Sequence, residues 1–287
     1  MNASFAEPAD VGGPDVESAS VNRLRDWLAP FRRVFVLTGA GCSTDSGIPD
    51  YRDADGAWKR KPPVTYQSFT GDPAVYQRYW ARSAIGWPRF VQAAPNRAHF
   101  AFAAWESTGT QSLLVTQNVD GLHQRAGSRA VVDLHGSLDA VVCLDCGLRE
   151  ARSTVQETIA AANADWEAAH AATAPDGDAD IDDDAVARFV PPRCPACAGP
   201  LKPDVVFFGE NVPRARYEQA RDALQASDAM LVAGSSLMVY SGFRFARMAH
   251  EAGLPIAILN RGRTRADDLA ALKLDTDVGT TLHAAFA

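Results

Sequence analysis

No apolar run in this chain is long enough to span a bilayer, so a helical membrane protein is not expected. Positive charge is also in short supply. Against 35 Asp and Glu stand 28 Lys and Arg, giving a formal net charge of -7. An acidic balance of this kind leaves no electrostatic footprint for a phosphate backbone, so direct nucleic-acid binding is not expected either. The opening residues 1–20 contain no Lys or Arg, the first being Arg23, and have no apolar centre. Secretory and transit-peptide readings therefore fail, and a cytoplasmic protein is expected. Cysteine is sparse: Cys42, Cys143, Cys146, Cys194 and Cys197 are all there is. With four of the five in two Cys-x-x-Cys pairs and no export signal, the pattern points to metal ligation and away from a disulfide framework.

What is present suits a globular protein. Of 287 residues, 47% are apolar, enough to bury a sizeable core in one domain or in a larger domain with a smaller one inserted. Short continuous apolar runs read as buried strands: Val34 to Leu37, Leu113 to Thr116, Val131 to Leu134, Val205 to Phe208, Met230 to Ala233 and Ile256 to Leu259. Helical patterns cover 97–106, 214–226 and 242–252, and Leu24, Trp27, Leu28 and Phe31 recur at helical spacing. Short apolar strands alternating with helices indicate an open parallel sheet covered on both faces. Residues 1–20 are polar and read as a tail, with a single catalytic domain over 21–287. Two segments interrupt the alternation. Residues 53–95 are aromatic and form a helical insertion, while 141–203 hold the cysteine pairs and an acidic stretch, Asp176 to Asp184, which reads as a solvated loop. The sheet-forming parts are then 31–52, 96–140 and 204–287.

Each Cys-x-x-Cys can place two thiolates on one ion, and two such knuckles complete a tetrahedral four-thiolate site with no open position. Cys143, Cys146, Cys194 and Cys197 are thus expected to hold one structural zinc. The alternative is a set of four buried or redox-active thiols.

After the strand at 34–37 comes Gly39-Ala40-Gly41-Cys42-Ser43-Thr44, with Gly47-Ile48-Pro49-Asp50-Tyr51-Arg52 close behind. Glycines here let backbone approach a pyrophosphate, and Ser43-Thr44 signals a helix start whose N–H groups face the anion. The spacing differs from the dehydrogenase fingerprint: the third glycine follows the second by six residues, where that motif has three.

This loop resembles the cofactor loop of the sirtuin family. Thr116-Gln117-Asn118-Val119-Asp120, Leu134-His135-Gly136, Phe207-Phe208-Gly209-Glu210 and Gly234-Ser235-Ser236-Leu237 are similar to further sirtuin motifs and occur in the same order. The resemblance runs from about Arg33 to the C-terminus, and the cysteine pairs sit where the family holds its zinc. Tyr79-Trp80-Ala81-Arg82, Gly86-Trp87-Pro88 and Ala174-Pro175-Asp176-Gly177-Asp178 resemble most the class II branch of the sirtuin 4 type. The resemblance implies a Rossmann-type open parallel sheet with a smaller zinc-binding and helical module, and an NAD-dependent protein-lysine deacylase. In that reaction the acyl oxygen attacks the ribose carbon of NAD, nicotinamide leaves, and O-acyl-ADP-ribose is released with free lysine. Acylated-lysine proteins or peptides would be the partners, with a monomer as the working unit.

The roles implied fall on particular residues. His135 would be the general base, with Asn118 and Asp120 completing the catalytic set; Asp120 contacts the nicotinamide carboxamide and Asn118 orients the ribose or a water. NAD would be held by Gly39, Ala40, Gly41, Cys42, Ser43, Gly47, Ile48, Pro49, Asp50, Tyr51 and Arg52, by Gln117 and Val119 at the ribose, and by Gly234, Ser235 and Ser236 at the phosphates. Asn260, Arg261, Gly262 and Val278 would take the adenosine end. Val206, Phe207, Phe208, Gly209, Glu210, Met238, Val239 and Tyr240 would sandwich the peptide as an added strand. Tyr79 and Arg82 are candidates to bind an acidic acyl group. Cys42 stands where the family usually has isoleucine, and a thiol beside NAD is a candidate for oxidation. A lone histidine, an Asn-x-Asp after a strand or a glycine turn each has a purely structural reading, and the motifs in sequence are what raise the functional one. The alternatives are an NAD-dependent protein ADP-ribosyltransferase, a nicotinamide dehydrogenase and a zinc-ribbon adaptor.

Overall fold

The computed structural model describes residues 14–53, 55, 57–59, 63–166 and 183–286. In chain order its strands are β1 (Val34–Thr38), β2 (Gln111–Thr116), β3 (Val131–Asp133), β4 (Gly136–Cys143), β5 (Arg149–Ala151), β6 (Leu201–Val205), β7 (Ala229–Ala233), β8 (Ile256–Leu259) and β9 (Leu272–Leu274). The helices are α1 (Pro14–Leu28), α2 (Tyr66–Gly71), α3 (Pro73–Phe90), α4 (Arg97–Glu106), α5 (Leu122–Arg125), α6 (Arg152–Ala162), α7 (Asp183–Ala187), α8 (Arg214–Gln225), α9 (Tyr240–Glu251) and α10 (Val278–Phe286). None among the described residues is long and apolar enough to cross a membrane.

The larger sheet has the order β3-β2-β1-β7-β8-β9, and every pairing in it is parallel. The chain starts in the middle at β1, steps outward through β2 and β3, then returns to lay β7 on the other side of β1. Both faces are covered, which is why β1 and β7 are buried at every position and read as unbroken apolar runs. Val34, Val36, Leu114 and Leu231 pack with Leu24 of α1, Phe102 and Trp105 of α4 and Leu282 of α10. Phe35, Leu37, Val115 and Met230 point the other way, onto Leu224 of α8 and Phe245 of α9. This is period-two alternation with an apolar partner on each side.

Three expectations shift, and one strand is new. The tail expected through residue 20 becomes helix at Pro14, and residues 1–13 lie outside the described residues. The Val205 to Phe208 run is not a strand of the parallel sheet. Its strand is β6, which ends at Val205 and pairs antiparallel with β4 in a separate sheet of order β5-β4-β6. β9, only three residues long, carries too little pattern to stand out. The Ser43-Thr44 helix start yields two 3-10 turns, Ala40–Cys42 and Thr44–Ser46, ended by left-handed Gly47 (φ 81°). The acidic stretch lies, from Asp176 to Asp182, outside the described residues.

The small sheet and the helical insertion share one core. Fully buried Trp80 of α3 donates its indole N–H to Leu201 O (3.2 Å), and the Tyr76 hydroxyl accepts Leu201 N–H (3.0 Å) while donating to Pro192 O (2.9 Å). From α6, Arg152 is fully buried, its guanidinium 4.8 Å from the Trp87 ring centroid. Thus α3, α6 and β6 cannot move independently.

Beyond this core the two cysteine knuckles meet. Gly147 N–H and Ala198 N–H close turns onto Cys143 O (3.0 Å) and Cys194 O (2.8 Å). The four sulfurs lie within 4.8 Å of one another, with Cys143 and Cys197 at 3.5 Å and Cys146 and Cys194 at 3.7 Å. A zinc–sulfur bond of about 2.3 Å sets the edge of a tetrahedral thiolate site at roughly 3.8 Å. The cluster therefore fits one structural zinc, held by Cys143, Cys146, Cys194 and Cys197. Replacing Cys146 by Ser should release the zinc and cost about 4 kcal/mol or more, lowering the unfolding midpoint by roughly 10 °C in a chain of this size. Metal analysis and calorimetry check this; a variant that keeps stoichiometric metal and its midpoint would refute a four-thiolate site.

Candidate active site

In an open parallel sheet the ligand crevice lies beyond the strand carboxyl ends, where strand order reverses. Here that point is between β1 and β7. The two loops leaving these strands touch: Gly41 N–H donates to Gly234 O (2.8 Å) and Gly39 N–H to Ala233 O (3.2 Å). A Cβ on Gly39 would lie 2.8 Å from Gly234 O, and one on Gly234 (φ 61°) only 2.4 Å from Cys42 N. Glycine is required because two backbones pass with no room between them. Leu237, a few residues on, takes φ 56° and is buried, a left-handed conformation rarely adopted by a branched apolar residue and held by its N–H on Ser235 Oγ (3.2 Å).

Over these loops opens a cavity of about 810 Å³, at the upper end for a small-molecule site. Its wall takes in Gly39, Ala40, Gly41, Ser43, residues 48–52, residues 117–120, His135, residues 234–236, Asn260, Arg261 and Val278. It also takes in Tyr79, residues 206–210 and residues 238–240. Four of the expected site residues stand outside it. Cys42 turns its thiol inward onto Ala233 O (3.3 Å), and burial pushes that thiol up to about 12, which opposes thiolate formation and counts against oxidation sensitivity. Gly47 borders a neighbouring pocket. Gly262 gives its N–H to Asp275 (3.2 Å). Arg82, three residues after Tyr79 on α3, is not among the cavity-wall residues. Of the expected substrate residues, Glu210 has a structural duty: its carboxylate accepts Lys202 Nζ (3.1 Å) and Phe207 N–H (2.9 Å), folding the 206–210 loop.

His135 sits between β3 and β4. Gly136 (φ 84°) follows, where a Cβ would meet Asp204 O at 2.0 Å, and His135 O accepts Val206 N–H (2.8 Å). The ring is gripped at both nitrogens. Nδ1 lies 2.9 Å from Gln117 O and Nε2 lies 2.7 Å from Ser241 Oγ. A carbonyl can only accept, so Nδ1 carries the proton and Nε2 offers its lone pair. Burial pushes the ring down to about 4, so it is neutral and proton-accepting at physiological pH. Gln117 also reaches the opposite loop, its amide donating to Ser235 Oγ (2.6 Å).

A second network fixes Asn118 and Asp120. His99 Nδ1 accepts Asn96 N–H (3.2 Å), which leaves Nε2–H to face Ser43 Oγ (3.4 Å). Asn118 Nδ2 donates to the same Oγ (3.1 Å), so the serine's single proton goes to Asp120 Oδ2 (2.7 Å). The other Asp120 oxygen caps α5 through Leu122 N–H (2.9 Å), so the structural and functional readings of Asn-x-Asp coexist. Burial raises the Asp120 carboxyl above the usual range, opposed by these donors. Missed by sequence reading were Ser241, Arg244, Trp58 and Asp277, all in the cavity wall. Only Trp58 carried a signal, its ring stacked under Arg52 at 3.9 Å in the aromatic segment.

His99 and His123 are fully buried, rings 4.7 Å apart. Burial pushes His99 down to about 4 and His123 well below its ordinary value. Both are neutral when folded, whereas the unfolded chain binds protons below about pH 6.5. Stability should therefore hold above that pH and fall on acidification toward 4, by up to about 1.4 kcal/mol per pH unit for each ring. Urea midpoints at pH 7 and 5 measure this, and equal midpoints would contradict the assignment.

The model of the Sir2 family matches residues 39–241. Among curated proteins, the chain is 60% identical over 259 residues to an NAD-dependent protein deacetylase of Xanthomonas axonopodis pv. citri, covering 90% of this chain and 88% of that one. It is 56% identical over 260 residues to an NAD-dependent protein deacetylase of Bordetella bronchiseptica, covering 91% and 95%. Among solved structures, it matches a Sir2–p53 peptide–NAD+ complex with a TM-score of 0.73 at 31% identity, covering 91% of this chain and 95% of that one. A Sir2 bound to acetylated peptide gives a TM-score of 0.72 at 30% identity over the same shares. With these matches added to the parallel sheet, the abutting glycine loops and the four-cysteine cluster, the chain belongs to the Sir2 family.

Proposed function

We propose that this chain is an NAD-dependent protein-lysine deacylase of the class II, sirtuin 4 type, acting on acylated lysines of cytoplasmic proteins as a monomer. The observation that carries the reading is His135, a neutral imidazole whose lone pair faces a cavity built at the strand-order reversal. The class II assignment rests on the Tyr79 to Arg82 and Gly86 to Pro88 segments.

The residues present fit NAD. Gly39, Gly41 and Gly234 form a cradle that no Cβ could enter, which suits close approach of a pyrophosphate to backbone. Ser235 and Ser236 lie beside it, and Asn260, with Arg261 and Val278, borders the far end. Asn118 and Asp120, set by Ser43, suit recognition of a carboxamide next to Ile48 and Phe90. When bound, NAD supplies an electrophilic ribose carbon and nicotinamide as leaving group.

The chain's own contribution is positioning and proton transfer. Residues 206–210 and 238–240 border the cavity from two sides and would pair an extended peptide between them. His135 then accepts the proton of a ribose hydroxyl at Nε2, and the Nδ1–H bond to Gln117 O stabilises the imidazolium that results. The overall reaction would take acyl-lysine, NAD and water to free lysine, nicotinamide and O-acyl-ADP-ribose, with His135 holding the proton of the sugar hydroxyl while the acyl group is passed to it. A protein ADP-ribosyltransferase would use the same cofactor cradle, and mass spectrometry of the products separates the two.

His135→Ala should lower deacylation by about 10²- to 10⁴-fold while calorimetric NAD uptake and the unfolding midpoint are retained; full turnover would remove the histidine from the mechanism. We place acetyl-lysine ahead of acidic acyl-lysines, because the similar curated proteins are deacetylases and a similar Sir2 structure holds an acetylated peptide. Arg82→Met should leave the ratio of deacetylation to desuccinylation unchanged. A selective loss of desuccinylation would restore the acyl-carboxylate role to Arg82.

A further inference from the structure

Ser241 lies on the first turn of α9 and lines the same cavity as His135. Its hydroxyl is 2.7 Å from Nε2, the ring nitrogen left without a proton once Nδ1–H is given to Gln117 O. The serine is therefore the donor and Nε2 the acceptor. Its placement is built into the fold. The next residue is Gly242, and a Cβ there would come within 2.4 Å of Gln117 Oε1. The first turn of α9 is thus pressed onto the residue that holds the other side of the ring. Two elements in mutual contact each hold one ring nitrogen, which leaves the imidazole no freedom to flip or rotate.

We propose that Ser241 is a positioning residue for the base: in the ligand-free site its hydroxyl donates to His135 Nε2, fixes the ring plane and keeps the lone pair aimed into the cavity until a ribose hydroxyl takes its place. The inference rests on the deacylase reading for the last clause only. Nε2 has one lone pair, so a sugar hydroxyl that donates to it must displace the serine hydroxyl. That exchange trades one hydrogen bond for another and leaves the lone pair aimed where the sugar arrives. No bond to Ser241 forms, and the proton taken by Nε2 comes from the sugar hydroxyl.

The charged groups around the ring set the background. Arg216 of α8 disfavours the imidazolium, and its guanidinium is itself paired with Asp204 of β6 at 3.2 Å. Asp133 ends β3 two residues before the histidine, Asp120 and Arg244 lie in the cavity wall, and Arg244 stacks 4.7 Å from the Tyr217 ring centroid. None of these depends on the serine hydroxyl, so a Ser241→Ala change isolates its effect.

The test joins a readout that needs no turnover to one that does. Nitrogen-15 NMR of the ligand-free protein should show His135 as the Nδ1–H tautomer, and in Ser241→Ala its titration should move down by about 0.5 to 1 pH unit, because the hydroxyl that donates to the neutral ring accepts from Nε2–H of the imidazolium in the stronger, charge-assisted sense. The acid limb of kcat/KM, which reports the free enzyme, should move down by the same amount, whereas the acid limb of kcat, which reports the loaded enzyme, should stay. Ser241→Thr should restore the wild-type profile. An unmoved titration in Ser241→Ala, an Nε2–H tautomer in the wild type, or an equal shift in both limbs would overturn the proposal. If the titration moves as expected but the wild type turns over no acyl-lysine peptide, the hydrogen bond stands and the deacylase reading falls.

Discussion

Two backbones crossing with nothing between them set the rest of this structure. Gly39 and Gly41 leave β1, Gly234 leaves β7, and the amide of one loop bonds the carbonyl of the other at 2.8 Å. Because strand order reverses there, the crevice above is the one place on the sheet where loops from both halves diverge. Side chains are excluded from the floor, so what faces a ligand is peptide dipole. Around it the chain spends its polar residues: Gln117 bridges from β2 to Ser235 and to the histidine, and Ser43 bridges from the β1 loop to Asp120.

Proton assignment runs through these contacts without ambiguity because each chain of bonds starts at a group of fixed sense. Gln117 O can only accept, which makes His135 Nε2 the free base. Asn96 N–H can only donate, which makes His99 a donor to Ser43, which in turn donates to Asp120. Burial pushes the imidazoles down and the Asp120 carboxyl up, in each case favouring the neutral form. The energetic cost of such burial is offset by complete hydrogen bonding at Ser43 and at the His135 ring.

The zinc cluster supports the site indirectly. It stands at the far end of the core that holds α3, α6 and β6 together, and β6 leads straight into the 206–210 loop. The Lys202–Glu210 pair then folds that loop back on its own strand. Loss of the metal would reach the cavity along β6 and β4, whose pairing includes Gly136, the residue next to the base.

Sequence alone determined the periodic features and the local ones. Continuous apolar runs marked β1, β2, β7 and β8, because strands buried on both faces leave no polar positions to confuse the pattern. Helical spacing marked α4, α8 and α9 nearly to the residue. Cysteine spacing identified a four-thiolate cluster, since each knuckle is a local turn. Tertiary structure alone decided what depends on distant pieces meeting. It put Val206 to Phe208 in a loop, because the strand before them pairs with β4 and not with the parallel sheet. It turned the Cys42 thiol inward onto Ala233 O, since one residue changes which space a side chain enters. It joined Ser241 to His135, residues 106 apart, through a helix start that carries no motif. A local pattern fixes how backbone runs, but a hydrogen bond between remote side chains exists only after packing has fixed both ends.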